Sequence, residues 1–125
     1  MILDTDILIW FLRGNDKAET AVVNSIPFSV SIVTYMELLQ GMRNRSEMEI
    51  MKKAFHEMGV SILPISNKIS IQAARYVEEY ALSNHMEMAD ALIASTCIEH
   101  GEELYTANDK HYKVINDLRI SIFRP

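Results

Sequence analysis

Short apolar runs alternate along this chain with longer segments in which apolar residues recur every three or four positions. The short runs predict strands, and the longer periodic segments predict helices. The predicted strands comprise residues 2–3, 28–32, 60–65, 104–106 and 120–123. The predicted helices comprise residues 5–12, 17–26, 33–42, 46–58, 66 to at least 80, 90–100 and 108–114. This alternation favours an α/β fold in which a parallel sheet is covered by helices on both faces.

Polar residues just before several apolar segments are expected to cap the predicted helices. Thr5 or Asp6 is the expected N-cap of the first helix, and for Asp6 the alternative is a contact to a metal-bound water. Ser46 is the expected N-cap of the fourth helix, since Glu49 three residues later completes a capping-box pattern. Ser66 is expected to cap the fifth helix.

The chain has 125 residues, with no repeat, low-complexity segment or linker, and this predicts one domain over residues 1–125. Its composition, 49% hydrophobic and 23% charged, is typical of globular proteins. The lone cysteine, Cys97, lies in an apolar run and is expected to be a buried thiol in a reducing compartment. Cytoplasmic residence is expected, because neither a leader sequence nor a membrane-spanning segment is apparent.

The net charge of −5 disfavours a constitutive nucleic-acid binder, because such proteins usually carry a basic excess. Clustered acids would nevertheless leave the remaining surface closer to neutral. Local basic residues then become candidate phosphate contacts, with ordinary solvated charge as the alternative. These candidates are Arg13, Arg43, Arg45 and Lys110.

Three carboxylates, those of Asp4, Glu37 and Asp90, stand beside apolar sequence that builds strands or helices. Asp4 directly follows the first predicted strand, and Asp90 begins an apolar helix. In open parallel sheets, ligands bind beyond the carboxyl ends of the strands. We therefore expect these carboxylates to meet at that edge of the sheet, together with residues 106–109 after a later strand.

Carboxylates placed close together repel one another, and a divalent cation removes that cost. A group of oxygen ligands suits Mg²⁺ or Mn²⁺. Such an ion can orient a phosphodiester and activate water, so that no protein nucleophile is required. The chain contains no nucleophile-elbow motif and no glycine-rich phosphate loop. The sequence therefore predicts metal-dependent hydrolysis.

Four segments of the chain, in this order, resemble the PIN-domain ribonucleases, and in particular the VapC-type toxins of toxin–antitoxin pairs. They are residues 2–6, 31–41, 88–94 and 104–108. The resemblance implies a PIN-like three-layer fold with a sheet of four to five strands. It also implies an endoribonuclease whose Mg²⁺ or Mn²⁺ is held chiefly by Asp4 and Asp90, with Glu37 beside them. A VapB-like antitoxin that occupies the groove and a homodimer are further implications.

The chain departs from the family pattern where many members carry a fourth acid. Asn108 stands there and can still hydrogen-bond a metal-bound water, while Asp109 can replace the acid if the loop turns it inward. Both are candidate catalytic residues, and one or two metal ions are possible. Thr106 is expected to orient a neighbouring carboxylate. His111 is interpreted as an exposed turn residue rather than a general acid.

Two other functions compete with the nuclease. Asp4 and Asp6 after a strand also resemble a haloacid-dehalogenase-like phosphatase, in which Asp4 would be a covalent nucleophile. That chemistry leaves Glu37 without a role. The other alternative is a PIN-like module that only binds RNA or protein, and it gives no reason to retain three clustered carboxylates.

Overall fold

Five short strands form one parallel sheet in the computed structural model, which describes residues 1–125. They are β1 (Ile2–Leu3), β2 (Ser29–Ser31), β3 (Ser61–Leu63), β4 (Leu104–Thr106) and β5 (Ile120–Ile122). Their order across the sheet is β3-β2-β1-β4-β5, so β1 is the central strand and β5 is an edge strand. All four pairings are parallel, which confirms the predicted α/β fold.

Seven helices alternate with the strands. They are α1 (Thr5–Leu12), α2 (Asp16–Ser25), α3 (Ile32–Gln40), α4 (Arg45–Glu57), α5 (Asn67–Asn84), α6 (Met88–Glu99) and α7 (Asp109–Tyr112). Each lies where the sequence predicts a helix. No helix combines the length and the apolar character that crossing a membrane requires.

The core is divided between the two faces of the sheet. Ile2 and Leu3 are both fully buried, yet they belong to different hydrophobic clusters. Successive side chains of a strand point to opposite faces, so β1 contributes to each cluster. Residues of α5 and α6 pack with Ile2, and residues of α1, α2 and α4 pack with Leu3. The sheet is therefore covered on both faces, as predicted.

The predicted capping residue of α4 is wrong. Asn44, not Ser46, is the N-cap, and its side chain accepts a hydrogen bond from the Glu47 backbone N–H at 2.9 Å. The two possible caps have the same spacing to a following glutamate, and Asn and Ser are comparably good caps, so the local pattern does not separate them. Ser66 is confirmed as the cap of α5, with an accepted hydrogen bond of 3.1 Å from Ile69.

Most element boundaries differ from the predictions by one or two residues, and two of these differences affect the candidate site. β2 ends at Ser31, because the Ser31 hydroxyl accepts a hydrogen bond from the Val33 N–H and begins α3 one residue earlier than expected. α6 begins at Met88 rather than at Asp90. Its N-cap is Glu87, and Asp90 is the third residue of the helix and completes a capping box with Glu87.

A carboxylate site at the carboxyl edge of the sheet

The central strands β1 and β4 bring the first two site residues together. Ile2 pairs with Leu104 and Leu3 with Tyr105 in the parallel register, so Asp4, which follows β1, lies level with Thr106, the last residue of β4. The Thr106 hydroxyl donates a hydrogen bond of 2.7 Å to Asp4 Oδ2. This contact confirms the prediction that Thr106 orients a neighbouring carboxylate.

Asp4 is a buried acid, with 5% of its surface exposed. Asp4 is also the N-cap of α1, because its extended backbone lets Oδ1 accept a hydrogen bond of 2.8 Å from the Thr5 N–H. The prediction that Thr5 or Asp6 caps this helix is therefore wrong. Burial, with the charge of Asp6, raises the pKa of Asp4 to about 7, although the hydrogen bonds from Thr106 and Thr5 oppose the shift. Asp4 is therefore costly to ionise in the metal-free protein.

Asp6 does not cap α1 but hydrogen-bonds the segment that follows β4. Its Oδ2 accepts a hydrogen bond of 3.0 Å from the Ala107 N–H, and its Oδ1 accepts one of 2.8 Å from the Ile7 N–H. Burial raises its pKa as well. Asp6 thus places a second carboxylate beside Asp4. A contact from Asp6 to a metal-bound water stays a prediction.

Glu37 reaches the site from α3 through threonine hydroxyls. Its Oε1 accepts a hydrogen bond of 2.7 Å from Thr5 Oγ1, and the same hydroxyl lies 3.0 Å from Thr34 Oγ1. Thr34 is fully buried one turn before Glu37, whereas Glu37 itself is exposed. Since Thr5 directly follows Asp4, this contact links Glu37 to the residue next to the buried acid. A cation shared by Glu37 and the other carboxylates stays a prediction.

Asp90 joins the group through a buried tyrosine. The Tyr112 hydroxyl donates a hydrogen bond of 3.4 Å to Asp90 Oδ1, and it lies close enough to Asp4 for the charges of both carboxylates to affect its pKa. Burial and the charges of these two acids raise the pKa of Tyr112 well above its ordinary value, so the hydroxyl remains a proton donor. Asp4 and Asp90 are therefore both close to the Tyr112 hydroxyl.

His111 belongs to the site, contrary to its interpretation as a solvated turn residue. Its Nδ1 lies 3.1 Å from Asp90 Oδ2 and 3.1 Å from the side-chain nitrogen of Asn108. The Asn108 backbone N–H in turn donates to Thr106 Oγ1 at 2.9 Å. Asn108 consequently contacts the carboxylate group through a histidine rather than directly.

Asp109 is directed away from the other acids. Its Oδ1 pairs with the Arg124 guanidinium at 2.8 Å, and Arg124 also donates to the Ala107 carbonyl oxygen at 3.0 Å. This hydrogen-bonded pair lowers the pKa of Asp109. The structure therefore gives no support to Asp109 as a replacement for the fourth acid.

A groove of about 560 Å³ lies beside Glu37, between α1, α3 and α4. Arg13 and Arg43 line it among mostly apolar side chains. Arg43 forms an exposed ion pair of 2.8 Å with Glu47, and such pairs contribute little stability, so its guanidinium can exchange partners. The other two basic candidates, Arg45 and Lys110, are exposed outside the groove.

The donor atoms at this edge fit a hard divalent cation. Asp4, Asp6 and Glu37 contribute carboxylate oxygens, and none of them forms an ion pair with a basic side chain. No three Asp, Glu, His or Cys side chains are arranged as a complete ligand cluster. Mg²⁺ is usually held by one or two carboxylates and several waters, so an incomplete protein shell suits it better than a closed cage would.

Sequence reasoning missed three hydroxyl groups of the site, those of Thr5, Thr34 and Tyr112. Thr34 and Tyr112 each carry a polar group at a fully buried position. A buried polar group needs a partner, and Thr34 stands three residues before Glu37 on the same helix face. That spacing was the available signal for Thr34. No local pattern indicates the contact of Tyr112 with Asp90, 22 residues earlier in the chain.

Comparison with known proteins adds the family context. The family model described as PIN domain matches residues 1–117. Ribonuclease VapC10 from Mycobacterium tuberculosis is 28% identical over 123 residues, which are 95% of this chain and 90% of that protein.

Solved structures with the same fold agree with this match. A chain of a toxin–antitoxin complex from Klebsiella pneumoniae superposes with a TM-score of 0.79 at 26% identity, over 94% of this chain and 93% of that one. A chain of VapBC2 from Rickettsia felis, bound to a DNA fragment from its promoter, gives a TM-score of 0.81 at 20% identity, with 98% of each chain covered.

Proposed function

This chain belongs to the PIN domain family, and from that premise we propose that it is the toxin ribonuclease of a toxin–antitoxin pair. It hydrolyses RNA phosphodiester bonds with Mg²⁺ or Mn²⁺ bound at the carboxylate site. The similarity to Ribonuclease VapC10 over 95% of the chain supports the choice of RNA as substrate.

The observation that carries this proposal is the buried Asp4. It lies beside Asp6 and close to the Tyr112 hydroxyl that donates to Asp90, yet none of the lysine or arginine side chains pairs with it. A buried, uncompensated carboxylate opposes folding. A divalent cation converts this unfavourable arrangement into a binding site.

The residues of the carboxylate site have different roles in this proposal. Asp4 and Asp90 would hold the cation, with Glu37 placed to hydrogen-bond its waters. The bound cation supplies neutralisation of the scissile phosphate and activation of water. Thr106 and the Thr5 N–H fix the two oxygens of Asp4, so that this ligand is oriented before the cation arrives. Asn108 has an indirect role through His111.

Arg13 and Arg43 are the proposed phosphate contacts, since both line the groove that begins at Glu37. An RNA strand in this groove would pass from the basic side chains to the carboxylates. Electrostatic contacts of this kind strengthen binding and make it depend on salt.

A VapB-like antitoxin is the proposed partner. The chain resembles, at 26% identity, a chain of a toxin–antitoxin complex from Klebsiella pneumoniae. The groove also exposes apolar surface that water solvates poorly: Ile9 is 36% exposed, Leu12 42% and Ile50 66%. An antitoxin segment that covers this surface would block the route of RNA to Glu37. We propose a homodimer for the toxin by analogy with the family.

The structure does not favour the phosphatase alternative. A covalent nucleophile must accept a phosphoryl group, whereas Asp4 is 5% exposed and both its oxygens already accept hydrogen bonds. A cation needs only a free lone pair on one of those oxygens. A purely binding module would also gain nothing from the uncompensated acid.

The proposal is tested by incubating purified protein with RNA in Mg²⁺ or Mn²⁺, with and without chelator. Asp90→Asn is tested in parallel, and Asp16→Asn, at an exposed position on α2, is the matched control. We expect metal-dependent fragments from the wild type and the control, and none from Asp90→Asn. Cleavage that persists in chelator, or equal cleavage by Asp90→Asn, would contradict the proposal.

A further inference from the structure

The residues that follow β5 hold the segment between β4 and α7. The Phe123 N–H donates a hydrogen bond of 2.8 Å to the Thr106 carbonyl oxygen. Phe123 is 4% exposed, and its ring packs edge-on against Tyr105 with 6.1 Å between the ring centroids. Arg124 is therefore attached to a buried neighbour, although 60% of its own side chain is exposed. Its guanidinium group extends from a fixed position beside the end of β4.

Arg124 binds the segment after β4 at two points. Its Nη1 donates to the Ala107 carbonyl oxygen at 3.0 Å, and its Nη2 donates to Asp109 Oδ1 at 2.8 Å. The Ala107 N–H donates to Asp6 Oδ2, also at 3.0 Å. Both backbone polar groups of Ala107 thus have a side-chain partner, one an acid of the carboxylate site and the other Arg124.

Asp109 is the first residue of α7, and this helix carries two side chains of the carboxylate site. The Tyr112 hydroxyl donates to Asp90 Oδ1 at 3.4 Å, and His111 Nδ1 lies 3.1 Å from Asp90 Oδ2. A helix of four residues is not stable by itself, so its position depends on tertiary contacts. The ion pair with Arg124 supplies one such contact, and the Asp109 side chain in it is only 18% exposed.

We propose that Arg124 is a positioning residue for the carboxylate site and that it orients Asp90 through Asp109 and helix α7. This inference rests on the proposed function, because it takes Asp90 as a metal ligand. It also assigns a role to Asp109, which holds Arg124 and does not bind the cation. Groups that orient metal ligands typically change metal affinity by about 10- to 100-fold, whereas exposed ion pairs contribute little to stability. Arg124 therefore affects the site more than it affects folding.

The test replaces Arg124 with methionine, which removes the guanidinium group and keeps an unbranched side chain. Arg119→Met is the matched control, because Arg119 precedes β5 and also donates to a backbone carbonyl oxygen, that of Gly101 at 2.7 Å. Calorimetric titration should show that Arg124→Met weakens Mn²⁺ binding by about 10- to 100-fold. Its kcat for RNA cleavage at a fixed, subsaturating Mn²⁺ concentration should fall, with KM for RNA unchanged. Arg119→Met should match the wild type in all three quantities.

The melting temperature of the metal-free protein separates positioning from a general loss of structure. Arg124→Met should melt within a few degrees of Arg119→Met, so that metal affinity falls without a matching loss of stability. Arg124→Lys keeps a positive charge opposite Asp109 and should recover most of the lost affinity. A loss of Mn²⁺ affinity in Arg119→Met equal to that in Arg124→Met, or no recovery in Arg124→Lys, would overturn the inference.

A double-variant cycle tests the route through Asp109. Asp109→Ala should weaken Mn²⁺ binding about as much as Arg124→Met does. The double variant Arg124→Met/Asp109→Ala should then bind little more weakly than either single variant, because both changes break the same contact. Losses that multiply in the double variant would overturn the route.

The remaining outcomes distinguish this inference from the proposed function. Wild-type Mn²⁺ affinity in Arg124→Met removes the role of Arg124. Tighter binding in that variant would mean that Asp109, once released, becomes a metal ligand. A raised KM for RNA with unchanged metal affinity would make Arg124 an RNA contact instead. Each of these results overturns the inference and leaves the nuclease proposal intact, whereas a wild type that neither binds Mn²⁺ nor cleaves RNA overturns both.

Discussion

The carboxylate site has two halves that are built differently. The strand-borne half lies at the ends of β1 and β4, and the helix-borne half lies on α6 and α7. Asp4, in the strand-borne half, is 5% exposed and receives hydrogen bonds from a backbone N–H and from Thr106. Asp90, in the helix-borne half, has a 15% exposed side chain held mainly by Tyr112 and His111. The first half is a fixed ligand with an electrostatic cost. The second half is less buried and is held mainly by side-chain contacts from α7.

The largest expected effect on RNA cleavage comes from replacing Asp4, the proposed metal ligand of the strand-borne half. Asp4→Asn should lower metal-dependent RNA cleavage by at least about a thousandfold, because loss of metal-assisted charge stabilisation costs several kcal/mol. The measurement is the initial cleavage rate at saturating Mn²⁺. Asp16→Asn is the matched control, and a rate within a few-fold of wild type for Asp4→Asn would remove Asp4 from the mechanism.

The same substitution should stabilise the metal-free protein in a pH-dependent way. The pKa of Asp4 is about 7 in the folded protein, against the 3.8 that is ordinary for an aspartate. Between these values the folded state binds a proton that the unfolded state has lost, so stability falls as pH rises from about 4 to 7. Asp4→Asn removes this loss, which amounts to a few kcal/mol.

Urea unfolding of metal-free wild type and Asp4→Asn at pH 5 and pH 8 measures this difference. The variant should gain more over wild type at pH 8 than at pH 5. An equal gain at both pH values would mean that the charge of Asp4 is not the source of the cost.

Thr106→Val is expected to have a smaller effect, since it removes only the hydroxyl that orients Asp4 and keeps the side-chain shape. Groups that orient metal ligands typically contribute about 10- to 100-fold to metal affinity. Calorimetric titration with Mn²⁺ should show a loss in this range. Thr20→Val, at an exposed position on α2, is the control and should bind Mn²⁺ like the wild type.

The smallest expected effect concerns the groove beside Glu37. Arg13→Ala should weaken RNA binding and lower the slope of log affinity against log salt by about one, because one phosphate contact is lost. Arg45→Ala should change neither, since Arg45 lies outside the groove. Binding titrations with a catalytically inactive Asp90→Asn background over a range of salt measure both. Equal slopes for the two variants would place the RNA elsewhere.

The strand-borne half was predictable from sequence, and much of the helix-borne half was not. Asp4 directly follows β1 and Thr106 ends β4, and the parallel pairing of these strands places their carboxyl ends at one edge, so this placement needs only the strand pattern. Glu37 could be placed near them by the same argument. The cap of α1 was wrong by one or two residues, since Asp4, Thr5 and Asp6 are all good capping residues.

The surroundings of Asp90 depend on contacts between distant side chains. Asp109 pairs with Arg124, 15 residues later, and not with the other acids of the site. No local sequence pattern predicts that ion pair. The turn of α7 that follows brings His111 and Tyr112 to the two oxygens of Asp90. Side-chain direction in a four-residue helix follows from such tertiary contacts rather than from apolar periodicity.

Thermal unfolding with and without Mg²⁺ or Mn²⁺ tests the central claim most directly, with wild type compared to the double variant Asp4→Asn/Asp90→Asn. A cation that binds only the folded state raises its stability by mass action, by about 2.7 kcal/mol at 100 times the dissociation constant. We predict that the melting temperature of the wild type rises with metal concentration. The double variant should melt higher than the wild type without metal and should not respond to metal. A wild-type melting temperature indifferent to both ions, or an equal rise in the double variant, would contradict a cation site at these carboxylates.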